Sequence, residues 1–372
     1  MLLQNATFYN DDFQKEKASI KISDGKISSI CNNCVDFETI DCTDKIVVPG
    51  FIDIHIHGTN GADVCDEDLS SLETISLALA KEGITSFCPA TMTLPFEKLC
   101  ECFGNINFYI GKEKGAYIHG INMEGPYISK EKKGSHKEKY IKAPDIEELK
   151  ALSNICSIKL IDVAPESENA FDFAKEASSI ATVSIAHTNA DCSTVKQAIE
   201  NGFSHATHLF NAMSPLGSRE SGAVGAILDD DKITAELICD GLHISPTTLR
   251  IAFKLLGKDR SVVVSDSMMA ANMPDGNYTL GCQSIIVKDK KAVLKDGTIA
   301  ASTTNVFDEF RNLIEWGIPF EQALRSCTIN PARVIGVDGQ TGSIKEGKSA
   351  DLLILDEKLN LEAVIIKGKL LQ

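Results

Sequence analysis

The sequence predicts an α/β protein: a (β/α)8 TIM barrel with a small flanking β-sandwich domain built from both chain ends. Three observations carry that expectation. Between residues 46 and 335, a short apolar run, a polar or glycine-rich loop and an amphipathic stretch of helical length recur eight times. The reactive side chains of those runs gather at their C-terminal ends, the rim on which barrel enzymes build their sites. The two ends of the chain instead carry short β-like segments with Asp-Gly and Lys-Gly turns.

In chain order, residues 1–45 include "SIKISDGKISSI", two short alternating segments around a tight turn. "VVPGFIDIHIHG" (47–58) follows a Pro-Gly break with an alternation that sends Asp53, His55 and His57 to one face. On a barrel strand that face points inward, and the two imidazoles become a pair of metal ligands. "ITSFCPATM" (84–92) is the second run, and "AYIHGINMEG" (116–125) ends on Glu124 ahead of a Gly-Pro break. "IKLIDVAPE" (158–166) precedes "ATVSIAHT" (181–188), which ends on His187. In "SHATHLF" (204–210), His208 lies nearer the rim and ahead of the turn-prone "NAM", so His205 is assigned a supporting position. "ITAELICDG" (233–241) leads to Asp240 and His243, and "SVVVSDS" (261–267) places Asp266 after three valines, a poor setting for an idle carboxylate. Between the runs, stretches such as "DEDLSSLETISLALAKEG" and "CSTVKQAIENG" start on acidic or hydroxyl residues and end on Gly or Asn, as helices do. Residues 270–302 read as hairpins over the barrel mouth. Residues 336–372 return to the β pattern and are expected to pair with 1–45, leaving 46–335 as the catalytic domain.

The net charge of −15 argues against nucleic acid and anionic membranes as partners. A small anionic substrate would therefore depend on a few local cations. No N-terminal run resembles a signal peptide and no apolar stretch approaches a membrane span, so the chain is expected in the cytoplasm. Twelve scattered cysteines suit free thiols in a reducing compartment, the isolated Cys31–Cys34 pair included.

Imidazoles and carboxylates converging at strand ends make a donor set for zinc or a similar divalent ion. Such an ion acidifies a water molecule, and a nearby carboxylate can take and return a proton. Hydrolysis of an amide or related bond requires this combination. Arg219, in the small-residue loop "SPLGSRESGAVGA", could pair with backbone N–H groups around a phosphate.

"PGFIDIHIHG" and "GSIKEGKSADLLILD" resemble the amidohydrolase superfamily. "NMEGPYIS", "KKGSH", "IAHTNA", "THLFNAM", "CDGLHI" and "VVSDS", in the same order along the whole chain, resemble the N-acetylglucosamine-6-phosphate deacetylase family within it. The resemblance implies that Glu124, His187 and His208 hold a metal, that Asp266 is the catalytic acid and base, and that His136 polarises the acetyl carbonyl. It implies substrate contacts at Ser135, His136, Asn211, Ala212, Arg219, His243, Ala300, Ala301 and Ser302. Because His55 and His57 are both present, a second metal bridged by Glu124 is expected: one or two divalent cations, zinc first, with iron, manganese or cobalt as alternatives. The fourth run ends "DVAPE" without the bridging lysine of many amidohydrolases, which weakens dihydroorotase-like readings. The implied activity removes the acetyl group from a small sugar phosphate, N-acetyl-D-glucosamine 6-phosphate, in amino-sugar catabolism or recycling, within a homodimer or homotetramer. The alternatives are the galacto epimer or another N-acyl substrate and, from a different class, a catalytically silent sugar-phosphate sensor.

Overall fold

The structure, a computed structural model, describes residues 1–32, 34–36, 38–281 and 283–371. Each of the eight apolar runs contains a strand. Phe51–Ile56, Ile84–Pro89 and Tyr117–Ile118 form a three-stranded parallel sheet. Ile121–Met123, Ile158–Val163, Thr182–Ile185, Phe203–Ala206, Thr234–Leu237 and Ser261–Val263 follow in that order as a six-stranded parallel sheet. The third run is thus divided at His119–Gly120, and a parallel bridge from Ala90 to Asn122 links the two sheets.

These strands are buried along most of their length because both faces are covered. Outside, Leu72, Ile75 and Leu79 of the helix Leu69–Lys81 pack on the sheet, as do Val195 and Ile199 of Cys192–Glu200. Inside, Ile52, Ile54, Leu160, Ile238, Val262 and Val264 form a separate core, with Ala332, Ile335 and Val337 packed against it. Truncating one of these, for example Leu160→Ala, costs about 2–5 kcal/mol. The helix starts follow the sequence cues: the carboxylates of Asp68, Asp145 and Asp191 each accept an N–H from the first turn of their helix.

The chain ends meet in one eight-stranded mixed sheet. Leu352–Leu355 runs antiparallel to Ile46–Pro49, which runs parallel to Leu2–Tyr9. The run beginning at residue 47 is therefore shared: Ile46–Pro49 belongs to the end sheet, and Phe51–Ile56 to the parallel one. The segment after the eighth run forms an antiparallel sheet of Gly276–Leu280, Gln283–Lys288, Lys291–Val293 and Ile299–Ala301. Its Gln283 amide donates to the carbonyl of Ser135, and Ser135 Oγ donates to the carbonyl of Ala300 at 3.2 Å. The hairpins thus lie against the loop that carries Ser135 and His136.

Cys31 and Cys34 are joined as a disulfide, which corrects the expectation of free thiols at that pair. Their Cα atoms lie 5.9 Å apart, within the span a disulfide bridges. The other described cysteines are free, and Cys282 lies outside the described residues. Among the described residues no helix is long and apolar enough to cross a membrane.

Candidate metal centre

Five imidazoles surround the carboxylate of Glu124. The Nε2 atoms of His57, His136, His187 and His208 lie 3.2, 3.2, 3.1 and 3.2 Å from its oxygens, and that of His55 lies 3.6 Å away. Asp266 Oδ1 stands 3.4 Å from His57 Nε2 and 3.8 Å from His55 Nε2. All seven residues are buried, in a structure where they come from the ends of five strands and one loop. Three of them, His187, His208 and Asp266, have φ values of 43°, 30° and 46°. Left-handed backbone at non-glycine residues costs about 1–3 kcal/mol each and collects at functional sites. The surroundings hold it in place: His187 accepts the N–H of Ser129, and Asp266 donates to His55 and accepts from Ser302.

The groups behind the rings decide which nitrogen faces the centre. His57 Nδ1 lies 3.1 Å from the carbonyl of Ala90, His187 Nδ1 2.7 Å from that of Lys132, and His55 Nδ1 3.0 Å from Glu236 Oε2. Each of these acceptors requires an N–H, so in the neutral rings Nε2 presents a lone pair. Those lone pairs point at carboxylate oxygens, and the Nε2 atoms of His187 and His208 are 3.1 Å apart. His55 Nε2 is buried with no hydrogen-bond partner. Such contacts repel unless a cation or extra protons lie among them, and the donor set fits a divalent metal. The donor atoms of His55, His57 and Asp266 lie within 4.8 Å of one another, as do those of Glu124, His136 and His187.

Protons are the other way to balance this charge. Burial, the largest influence, disfavours charged imidazole, yet Asp266 and Glu124 raise His57 to about 10, and Glu236, Glu124 and Asp266 raise His55 well above its usual value. Burial likewise opposes the carboxylates, but His136, His187 and His208 hold Glu124 well below its ordinary range, and His57, His55 and His208 lower Asp266. A metal displaces such protons, so its affinity should weaken as pH falls.

His136 differs from the other rings. Its Nδ1 accepts the backbone N–H of Thr93 at 3.2 Å and lies 2.8 Å from Thr93 Oγ1, so its Nε2 carries the proton. Burial lowers its pKa to about 4 against the pull of Glu124, which leaves a neutral N–H donor rather than a ligand. Gly125 makes this arrangement fit: at φ 75°, a Cβ there would come within 2.1 Å of Thr93 Oγ1. Gly125→Ala should displace Thr93 and release His136, lowering kcat about 10²-fold, on the scale of losing one aligned donor. Steady-state kinetics with a metal count on the same sample checks this, because the metal should be retained.

A cavity of about 420 Å³ opens above the centre, and His57, Glu124, Ser135, His136, His187, His208, Asn211, Ala212, His243, Asp266 and Ala300 line it. His243 is anchored by Asp240, whose Oδ2 lies 2.7 Å from its Nδ1. Against the opposing effect of burial, Asp240 raises the pKa of His243. Three expected contacts lie elsewhere. Ala301 faces the hairpin-sheet core beside Met268 and Ile285, while its neighbour Ala300 reaches the cavity wall. Ser302 is buried behind the wall, where its N–H donates to Asp266 and its Oγ to Ser265. Arg219 sits on the exposed loop 215–220 and lines a separate surface depression with Cys192 and Lys196. His205 takes a supporting position, bonded to Thr234 and Glu236. Sequence reasoning missed Glu236 and Thr93. A lone Glu within the apolar run "ITAELI" was the available signal for the first.

The sequence profile of the amidohydrolase family matches residues 46–371. A Bacillus subtilis protein named N-acetylglucosamine-6-phosphate deacetylase is 32% identical, the match covering 100% of this chain and 96% of that protein. A protein of Escherichia coli O157:H7 named N-acetylgalactosamine-6-phosphate deacetylase is also 32% identical, over 94% of each chain. The crystal structure of N-acetylglucosamine-6-phosphate deacetylase from Pasteurella multocida superposes with a TM-score of 0.92 at 31% identity, covering 100% of this chain and 99% of that one.

Proposed function

The chain belongs to the amidohydrolase family, and from that premise we propose that it is a metal-dependent hydrolase converting N-acetyl-D-glucosamine 6-phosphate to D-glucosamine 6-phosphate and acetate. The observation that carries the reading is the Glu124 carboxylate ringed by imidazole nitrogens at the floor of a cavity sized for a sugar. Glu124, His187 and His208 would hold one divalent ion, and His55 and His57, bridged by Glu124, a second. Zinc is the first expectation, given nitrogen and carboxylate donors. When bound, such an ion acidifies water and polarises a carbonyl. The residues supply the rest: His136 donates its Nε2 proton toward the acetyl oxygen, and Asp266 moves protons from water to the departing amine. Ser135, Asn211, Ala212, His243 and Ala300 hold the sugar phosphate.

We read the curled parallel sheets as a (β/α)8 barrel. In support, Asp266 N–H donates to His55 at 2.9 Å and His57 N–H to Ser267 at 2.9 Å, joining the eighth run to the first. Residues 1–45 and 336–372, with the strand Ile46–Pro49 paired between them, would form the small β domain and the rest of 46–335 the catalytic one, in a cytoplasmic enzyme. In the homodimer or homotetramer that we expect, the exposed Arg219 loop can serve a phosphate at another copy's cavity. Arg219→Ala should then raise KM for the phosphorylated substrate about tenfold or more, with kcat little changed, because a group remote from the amide binds ground and transition states alike. An equal loss on unphosphorylated N-acetylglucosamine would contradict a phosphate role.

Relatives named for the gluco and the galacto substrate are both 32% identical to this chain, and the epimers differ only in the direction of one hydroxyl. Comparing amine release from the two 6-phosphates tests the substrate. A higher kcat/KM on the gluco compound is expected, and a preference for the galacto epimer would reverse the assignment.

A further inference from the structure

We propose that Glu236 is a positioning residue of the metal centre, fixing which nitrogen of His55 faces the metal and tying that ring to the turn that presents His208. The inference rests on the metal-dependent reading above. Glu236 lies in the strand Thr234–Leu237 and is 0% exposed. A carboxylate there is costly unless its oxygens are fully used, and they are. Oε2 accepts His55 Nδ1–H at 3.0 Å and the backbone N–H of His208 at 3.1 Å. Oε1 lies 3.3 Å from His205 Nε2, and His205 Nδ1 is in turn 2.6 Å from Thr234 Oγ1. The main chain helps as well: the carbonyl of Glu236 accepts the N–H of Leu209 at 2.9 Å.

One residue thus grips His55 on the first parallel strand and both sides of His208, whose φ of 30° needs such support. Two consequences follow. His55 keeps its proton on Nδ1, leaving the orphaned Nε2 bare toward Glu124 and Asp266. A full negative charge behind the ring also makes that nitrogen a stronger donor to a cation.

The test compares wild type, Glu236→Gln, Glu236→Leu and His55→Ala, each loaded with zinc. The dissociation constant of every bound ion is read by competition with a chromogenic chelator. His55→Ala identifies the ion that His55 holds. In Glu236→Gln the amide oxygen can still accept from His55 and His208 while its NH₂ faces His205, so geometry survives and only charge is lost. That same ion should weaken about 10–100-fold, the usual cost of removing a partner behind a ligand. The other ion should change by less than about threefold on that scale, and kcat should fall with KM unchanged. Glu236→Leu should lose the His55-dependent ion outright; if it does not fold, the Gln variant decides. A Glu236→Gln variant that weakens both ions alike would mark a merely structural role and would overturn the proposal. So would a Gln variant that binds both ions as wild type does, or a His55→Ala variant with unchanged metal. Acetate release by the same wild-type sample separates the two claims: metal bound without acetate release rejects the deacetylase reading, while the ion comparison still decides Glu236.

Discussion

Asp266→Asn should lower kcat by about 10²-fold or more while leaving substrate affinity nearly unchanged. Amide hydrolysis needs a base to take a proton from the attacking water and an acid to protonate a poor amine leaving group. Asp266 stands at the mouth of the imidazole cluster, 3.4 Å from His57 Nε2, where one carboxylate can do both in sequence. Asn preserves size and the backbone bonds to His55 and Ser302, so the variant should fold and bind substrate, but it cannot accept a proton. The pH dependence has a definite sign. Burial pushes this carboxyl up, but His57, His55 and His208 lower it overall, so the base stays ionised across the neutral range. The limb of the kcat profile that Asp266 governs should fall on the acid side, as pH drops through its lowered pKa, and the stability its carboxylate draws from these pairings should fade in the same direction. Near-normal kcat in the variant, or a loss residing wholly in KM, would assign the proton transfers to another rim residue.

His187→Ala should remove the ion held by Glu124 and abolish turnover. The ring supplies an Nε2 lone pair oriented by the Lys132 carbonyl, 3.1 Å from both Glu124 and His208. Losing a direct ligand should exceed the roughly 10–100-fold cost in affinity of losing an outer partner. Replacing His55 and His57 together should lower the metal count, with part of the activity kept. Elemental analysis beside kinetics distinguishes the two variants. Equal metal in His187→Ala and wild type would show that His187 is not a ligand.

Much of this centre was legible in the sequence because its donors lie at the ends of apolar runs, where a polar group has either a partner or a function. His55, His57, Glu124, His187, His208 and Asp266 were found in that way, and all lie around one carboxylate. His208 and His205 divide in the same way: the residue nearer the end of the run reaches Glu124, and the earlier one packs behind it on Glu236. Glu236 was overlooked because a strand-middle acid reads as an interruption until its partners on other strands are known. Thr93 sits in a loop, and its contact with His136 depends on a glycine 32 positions later, which no local pattern reveals. Ala301 and Ser302 came with Ala300 as one turn, although Ala301 packs into the hairpin-sheet core and Ser302 bonds behind the cavity wall to Ser265 and Asp266. Arg219 shows the limit of adjacency in sequence, since a loop that leaves a rim strand need not turn back over the cavity.

The most direct test of metal-dependent deacetylation follows acetate release from N-acetylglucosamine 6-phosphate as the purified chain is stripped by a chelator and reloaded with zinc, with bound metal counted on each sample. Activity should vanish with the ion held by Glu124, His187 and His208 and return in proportion to the metal restored. Full acetate release from a chain verified to hold no metal would contradict the account.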